Sequence, residues 1–331
     1  MPLVAYGPLG ATELPAASVA EVMAATEGHP VTWIDLSLDL NAEWLPLLGV
    51  ALGLHSLGIE DALDNNQRAK LEEFDGHMLF QLNVFEARSH GRREMEHVSF
   101  FVGRNYLLTV QPTREDCWDA VRAKFHDPSS MLRSRGPDYL AALLVHGLVD
   151  SLYPVVEELS ERVGDLEDTL VQGPNREALA SVHETRNTLS ELRRCTWPTR
   201  DVIRTLAFSE TAQVEDRNRK YFRDSHDLLA GVIDMAEILR ERVAHLNDLY
   251  LTAMAYKQNE VLKVLTVVSV IFIPLTFIVG TYGMNFNTHV SKWNMPELEH
   301  PLGYVGICAF MLMLTLAQLA YFRKKGWLKV N

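Results

Sequence analysis

The chain has 331 residues, 47% of them hydrophobic, 22% charged and 9% aromatic, and a formal net charge of −12. This is too apolar for a disordered chain, and it has neither the glycine period of collagen nor the cysteine density of a disulfide-stapled domain. Cys117, Cys195 and Cys308 stand far apart in the sequence, so neither a zinc knuckle nor a redox pair is read from them. The acidic balance argues against nucleic acid as a partner, because phosphate binding needs a basic face.

In chain order, the first part reads as mixed α and β. Residues 31–36 (VTWIDL), 77–85 (HMLFQLNVF), 96–103 (EHVSFFVG) and 106–112 (YLLTVQP) are β-branched or aromatic runs bounded by turn residues, with helical patterns between them. The GRN at 103–105 separates the last two runs as a hairpin turn would. Over the first 60 residues the pattern yields a single strand.

From Asp138 the chain turns wholly helical. Leu144, Leu148, Leu152, Val155, Leu159, Val163, Leu166 and Leu170 recur every three or four residues, which predicts one amphipathic helix ended by Gly173 and Pro174. A second helix is expected from near Asn175, and a third, free of proline until Pro274, from about Val214. An antiparallel hairpin thus feeds a long helix, and the part from Asp224 to Tyr282 would measure roughly 90 Å if continuous.

No Asp, Glu, Lys or Arg occurs from Val264 to Ser291 or from Pro301 to Phe322, stretches of 28 and 22 residues. A hydrocarbon layer ~30 Å thick is crossed by ~20 residues of helix, the form that satisfies every backbone group within its own segment. Spans are therefore expected at about 262–283 and 302–322. Basic residues gather on cytoplasmic flanks. The tail carries Arg323, Lys324, Lys325 and Lys329, whereas the loop between the spans carries Lys292 against Glu297 and Glu299. The tail is then inside and the loop outside. Two crossings place the N-terminal body inside as well, with no signal-peptide pattern at its start. Both termini are expected to be cytoplasmic, on a multi-pass protein of the inner (cytoplasmic) membrane. Residues 261–322 balance and the tail contributes +4, so residues 1–260 carry −16 of the total.

The expected fold class is α+β. A cytoplasmic mixed α/β domain occupies 1–135, a cytoplasmic helical hairpin and stalk 136–260, and a transmembrane domain with a basic tail 261–331.

Steps of three and four along the third helix pick out one face: Asn259, Leu262, Thr266, Ser269, Ile273, Thr276 and Gly280. Four of these seven are polar without charge. Such a stripe either glues membrane helices together or lines a water-filled pore, and taken alone the spacing favours glue. Two spans cannot enclose a channel, so a pore requires several copies around an axis.

The string IFIPLTFIVGTYGMNF (271–286), followed by MPEL (295–298), GY (303–304) and YFRKKGWLKV (321–330), resembles the CorA family of magnesium channels. The resemblance extends to NEVLKVLT (259–266), YFRD (221–224), ELRRCTWP (191–198) and DYLAALLVHGLVDSLYPVVEEL (138–159). One departure is the segment NTHVSKWN (287–294), which stands where the family runs almost directly from GMNF into MPEL. The resemblance implies a homopentameric funnel in the lipid bilayer, with the first membrane helices around a central pore and Gly283, Met284 and Asn285 as the selectivity filter at its outer entrance. It turns the stripe from glue into pore lining, with Leu262 and Ile273 as apolar constrictions. Asp248, on the same face eleven residues before Asn259, resembles the acidic ring at the inner end of the family's pore. A ring of Asn285 amide carbonyls suits an ion that keeps its water, as Mg²⁺ does. The ion implied is Mg²⁺, with Co²⁺ beside it, driven inward by the membrane potential. Mg²⁺ is implied also as a regulatory ion, bound between subunits by Asp224 with a second carboxylate, for which Glu86 is the candidate.

No GxxxxGK(S/T), HExxH or GxSxG sequence occurs, so neither a nucleotide, an organic cofactor nor an enzymatic activity is expected. The alternatives are a zinc transporter of the same superfamily, for which His289 is a soft ligand, and a non-conducting membrane-anchored scaffold.

Overall fold

Strands β1 (Pro2–Gly7), β2 (Gly10–Pro15), β3 (Val31–Ser37), β4 (Lys70–Phe74), β5 (His77–Ala87), β6 (Arg93–Gly103) and β7 (Tyr106–Gln111) pair into one sheet of order β2-β1-β3-β7-β6-β5-β4. The structure is a computed structural model that describes all residues except 1, 17, 65–66, 88–92, 114–116, 128, 174, 288, 292 and 328–331, and all side chains except also those of 2, 15, 86–87, 93–94 and 172. Pro174, Lys292 and Lys329, invoked above, and the side chain of Glu86 therefore lie outside the described residues.

The β3–β7 pair is parallel, running from Thr32 opposite Tyr106 to Ser37 opposite Gln111, and the other pairs are antiparallel. The four runs read from sequence are β3, β5, β6 and β7, and Arg104 and Asn105 make the two-residue turn between Val102 and its partner Leu107. Three strands, β1, β2 and β4, went unread or half-read. Two of them, β2 (GATELP) and β4 (KLEEF), are the sheet's edges, where charge and proline are tolerated and the apolar alternation is lost.

Among the described residues ten α-helices accompany the sheet: α1 (Val19–Gly28), α2 (Leu38–Asn41), α3 (Trp44–Leu52), α4 (Ser56–Leu63), α5 (Asp119–His126), α6 (Pro137–Asp150), α7 (Leu152–Gln172), α8 (Arg176–Phe208), α9 (Arg219–Tyr282) and α10 (Gly303–Lys324). Helix starts follow local chemistry. Asn175 caps α8 by accepting from the Ala178 N–H at 2.6 Å, where the sequence places the second helix. One expectation is corrected: the helix read as continuous from Asp138 is interrupted at Ser151, between α6 and α7. Pro154 has no N–H to offer the carbonyl of Asp150, so the ladder cannot run through.

Contacts divide the chain into two compact units, Met1–Asn247 and Asp248–Asn331. In the first unit the sheet buries both faces. Ile34, Leu36, Leu79, Phe101, Leu108 and Val110 pack with Val22, Leu45 and Leu48 of α1 and α3. On the opposite face Trp33 and Phe100 meet Trp118, each with ring centroids 6.0 Å from it, and Phe80 stacks on Phe100 at 4.6 Å. In the second unit α9 and α10 bury almost nothing.

Among the described residues three helical stretches are long and apolar enough to cross a membrane, namely Pro137–Val171, Arg219–Tyr282 and Gly303–Lys324. The most apolar window of the first is 61% buried inside the protein, and those of the other two only 6%. The first is thus core of the α/β unit. The other two are the helices on which the spans at about 262–283 and 302–322 are expected.

Candidate functional site

The site is built on the last turns of α9 and the segment that follows. Beyond Tyr282 the chain closes in a tight turn, with Gly283 N–H donating to the Val279 carbonyl at 2.9 Å and Met284 N–H to that of Thr281 at 3.2 Å. A Cβ on Gly283 would press on the carbonyl oxygen of Val279 at 3.3 Å, tighter than ordinary contact, and touch that of Gly280 at 3.5 Å. Glycine lets the helix end there without crowding the Val279 carbonyl. Met284 and Asn285 follow, both exposed and outside regular structure.

Two faces of α9 divide the work. Val267, Ile271, Pro274, Ile278 and Tyr282, each buried or half-buried, form one stripe of its part in the second unit. Ile278 and Tyr282 share a hollow of about 500 Å³ with Ile307 and Met311 of α10, and the Gln318 amide of α10 donates to the Val270 carbonyl at 3.1 Å. That face is the one α10 covers. The polar stripe runs along the other side, roughly 150° away at about 100° per residue. Asn259, Leu262, Thr266, Ile273, Thr276 and Gly280 are exposed and Ser269 is half-buried. Glue between the two spans of one chain is thereby excluded, because α10 covers the opposite face.

Two of the stripe's three hydroxyls are oriented. Thr266 donates to the Leu262 carbonyl and Thr276 to that of Phe272, each at 2.8 Å. With their protons held by the helix, these oxygens turn only lone pairs outward. At Thr266 and Thr276 the stripe therefore presents acceptors.

The 287–294 segment is stapled at its ends by Asn294 Nδ2 donating to the Asn287 carbonyl at 2.8 Å, and its start is an Asx turn from His289 N–H to Asn287 Oδ1 at 2.9 Å. His289 is exposed, and Trp293 is 92% exposed. The following MPEL enters a 3-10 turn at Pro296–Glu299, on which Gly303 starts α10; a Cβ there would overlap the Glu297 carbonyl. The GY of the sequence motif is thus a close backbone approach.

Of the carboxylates singled out from sequence, Asp224 is 74% exposed on α9, and His146 of α6, which sequence reading missed, lies 3.8 Å from it. Asp248 is exposed on the same helix. Glu86 is placed on β5 opposite Glu94, with both side chains outside the described residues. Among the described residues no three His, Cys, Asp or Glu side chains are grouped to hold a metal.

Comparison with known proteins agrees with this architecture. The profile of a family described as CorA-like Mg²⁺ transporter protein matches residues 29–324. The cobalt/magnesium transport protein CorA of Thermotoga maritima is 32% identical over 317 residues, 96% of this chain and 89% of that one. The magnesium transport protein CorA of Escherichia coli is 31% identical over 309 residues, 89% and 92% of the two chains. Among solved structures, the complete CorA magnesium transporter of Methanocaldococcus jannaschii superposes with a TM-score of 0.84 at 22% identity, over 99% of this chain and 98% of the other. The ZntB cytoplasmic domain of Vibrio parahaemolyticus gives 0.62 at 13% identity, over 77% and 98%. At those identities the structures share the fold.

Proposed function

The chain belongs to the CorA family, and from that membership we propose that it is a divalent cation channel that admits hydrated Mg²⁺, and Co²⁺ beside it, through a pore shared by five copies in the inner membrane, both termini cytoplasmic. The observation that carries the reading is the uncharged polar stripe of α9, which faces away from α10 and is followed by Gly283, Met284 and Asn285. A hydrated Mg²⁺ presents water hydrogens outward. Back-bonded threonine oxygens and an amide carbonyl accept them without stripping the shell, which Mg²⁺ gives up reluctantly. Carboxylates at the mouth would hold the ion too tightly to release it. Leu262 and Ile273 on the same stripe supply apolar rings suited to closing by dewetting. Asp248 concentrates cations at the inner end. For a divalent ion the membrane potential supplies ~4.6 kcal/mol per 100 mV.

Asn285→Ala tests this directly. Mg²⁺ uptake into liposomes, read with an internal dye, should fall by at least about tenfold with the oligomer's size intact, since a removed amide leaves the waters without acceptors. Cobalt hexammine, an inert replica of the hydrated ion, should compete with Mg²⁺ in the unaltered protein. Unchanged flux in Asn285→Ala would end the filter reading, and Zn²⁺ entering in strong preference to Mg²⁺ would transfer the protein to zinc transport. Native mass spectrometry should show five chains; a dimer would remove the central pore.

The same reading includes feedback. Residues 1–260 carry −16, and exposed carboxylates such as Asp224 at a seam between copies repel one another unless a cation lies between them. Internal Mg²⁺ would then favour the closed form, and Asp224→Ala should raise the inhibitory concentration without abolishing conduction. No inhibition of the unaltered protein over the millimolar range would leave the acidic charge a solvated surface.

A further inference from the structure

The membrane segment of α9 contains a proline, Pro274, and proline has no N–H. In an α-helix the group it fails to serve is the carbonyl four residues earlier, that of Val270. Within a bilayer an unserved carbonyl has no water to turn to, so the defect is either filled by the protein or left costly. In α10 a single carboxamide occurs between residues 302 and 322, Gln318. Its Nε2 donates to the Val270 oxygen at 3.1 Å. A polar side chain that is itself unfavourable in lipid is spent on the one carbonyl that the proline orphans.

The position of this bond matters for the stripe. Residues Thr266 and Ser269 lie before the interruption, and Thr276, Gly280 and the GMN tripeptide lie after it. A helix lacking one rung of its ladder bends at that rung. The aim of the outer half of the stripe relative to the inner half is therefore set at Val270–Pro274, and the bond from α10 is what holds it.

We propose that Gln318 is a positioning residue for conduction: its amide replaces the missing Pro274 N–H and locks the pore helix at its weak rung, so that the inner and outer halves of the polar stripe stay in line. This rests on the transport reading for its functional half. Its structural half stands without it.

The experiment is a two-site cycle on the full-length protein. Gln318→Met keeps the side chain's length and removes the donor. Pro274→Ala restores a backbone donor to Val270, which makes the glutamine redundant. Thermal midpoints in detergent and Mg²⁺ uptake in liposomes are measured for the unaltered protein, both single variants and the double variant; Pro274→Leu replaces Pro274→Ala should the latter not give a monodisperse preparation. Gln318→Met alone should lower the midpoint by several degrees and uptake by about tenfold. In the Pro274→Ala background the same change should move the midpoint by less than a third as much and uptake by no more than about twofold. Equal effects in both backgrounds would overturn the proposal, because a role in general packing does not depend on the residue at 274. A Gln318→Met protein indistinguishable from the unaltered one would overturn it too. Should the unaltered protein pass no Mg²⁺, transport itself fails, and the midpoints still decide whether the lock exists.

Discussion

Both units of the chain carry many large apolar side chains and treat them in opposite ways. In Met1–Asn247 the rings of Trp33, Trp118, Phe80 and Phe100 are at most 1% accessible. In Asp248–Asn331, among the described residues, only Val267 and Phe322 are buried, while Phe277, Ile273 and Met313 lie 75%, 66% and 66% exposed. The first unit solves the problem of water by enclosing its apolar surface. The second has no interior to enclose it in, so its stability depends on a solvent of lipid. The difference teaches that hydrophobicity identifies what must leave water, and that length and all-round distribution tell where it goes.

The comparison breaks most sharply at the core. Trp118 fills the space between the sheet and α6, with its indole N–H on the Leu144 carbonyl at 3.1 Å. Trp118→Ala should destabilise the first unit by about 3–5 kcal/mol, read by chemical unfolding of the solubilised protein. A change under 1 kcal/mol would mean the unit is held by something other than this core. Next comes Asp138, buried at the start of α6, whose Oδ2 accepts from the Glu215 N–H at 2.9 Å and from Asn218 Nδ2 at 2.8 Å. Asp138→Ala leaves both donors unserved and should cost about 3 kcal/mol, with faster hydrogen exchange at residues 215–222 as its signature.

A third contrast is with pH. His97 is enclosed on the sheet, Nδ1 on Asn83 Oδ1 at 2.8 Å, and burial pushes its pKa from 6.5 down to about 4 against the opposing pull of Asp64 and Asp61. A folded-state value below the unfolded one means that the unfolded chain takes up the proton first. The stability contributed by neutral His97 is full above pH 6.5 and is lost as pH falls toward 4, with about 2 kcal/mol gone between pH 7 and 5. His97→Gln should flatten that slope. An unchanged slope would place the acid sensitivity elsewhere. The smallest effect is expected in the second unit: Phe277→Ala should shift stability in detergent by less than about 0.5 kcal/mol, as surface positions do. A larger loss would show that another copy covers this face.

Much of the candidate site was legible in the chain itself. The stripe from Asn259 to Gly280 is spaced by the helix's own period, and the GMN that follows it lies just beyond the helix end. His146 beside Asp224 was not legible, because 78 residues separate them and neither carries a motif. Gln318 had a faint signal, a carboxamide in an apolar span paired with a proline in the other span. Its partner, a backbone carbonyl, has no signature in sequence at all.

What the sequence alone determined are features whose cause is local: two uncharged stretches long enough for a bilayer, strands β3, β5, β6 and β7 written in β-branched and aromatic residues, a helix start at Asn175, and a glycine where α9 must end. The tertiary structure alone decided what depends on partners far along the chain. It assigned β2 and β4 to the edges of the sheet, where the apolar alternation is not required. It buried α6 and α7 in the first unit although their hydropathy matches a membrane span. It also chose which face of α9 the second span covers, and so left the polar stripe open, because a helix's period arranges its faces but only packing determines which of them is occupied.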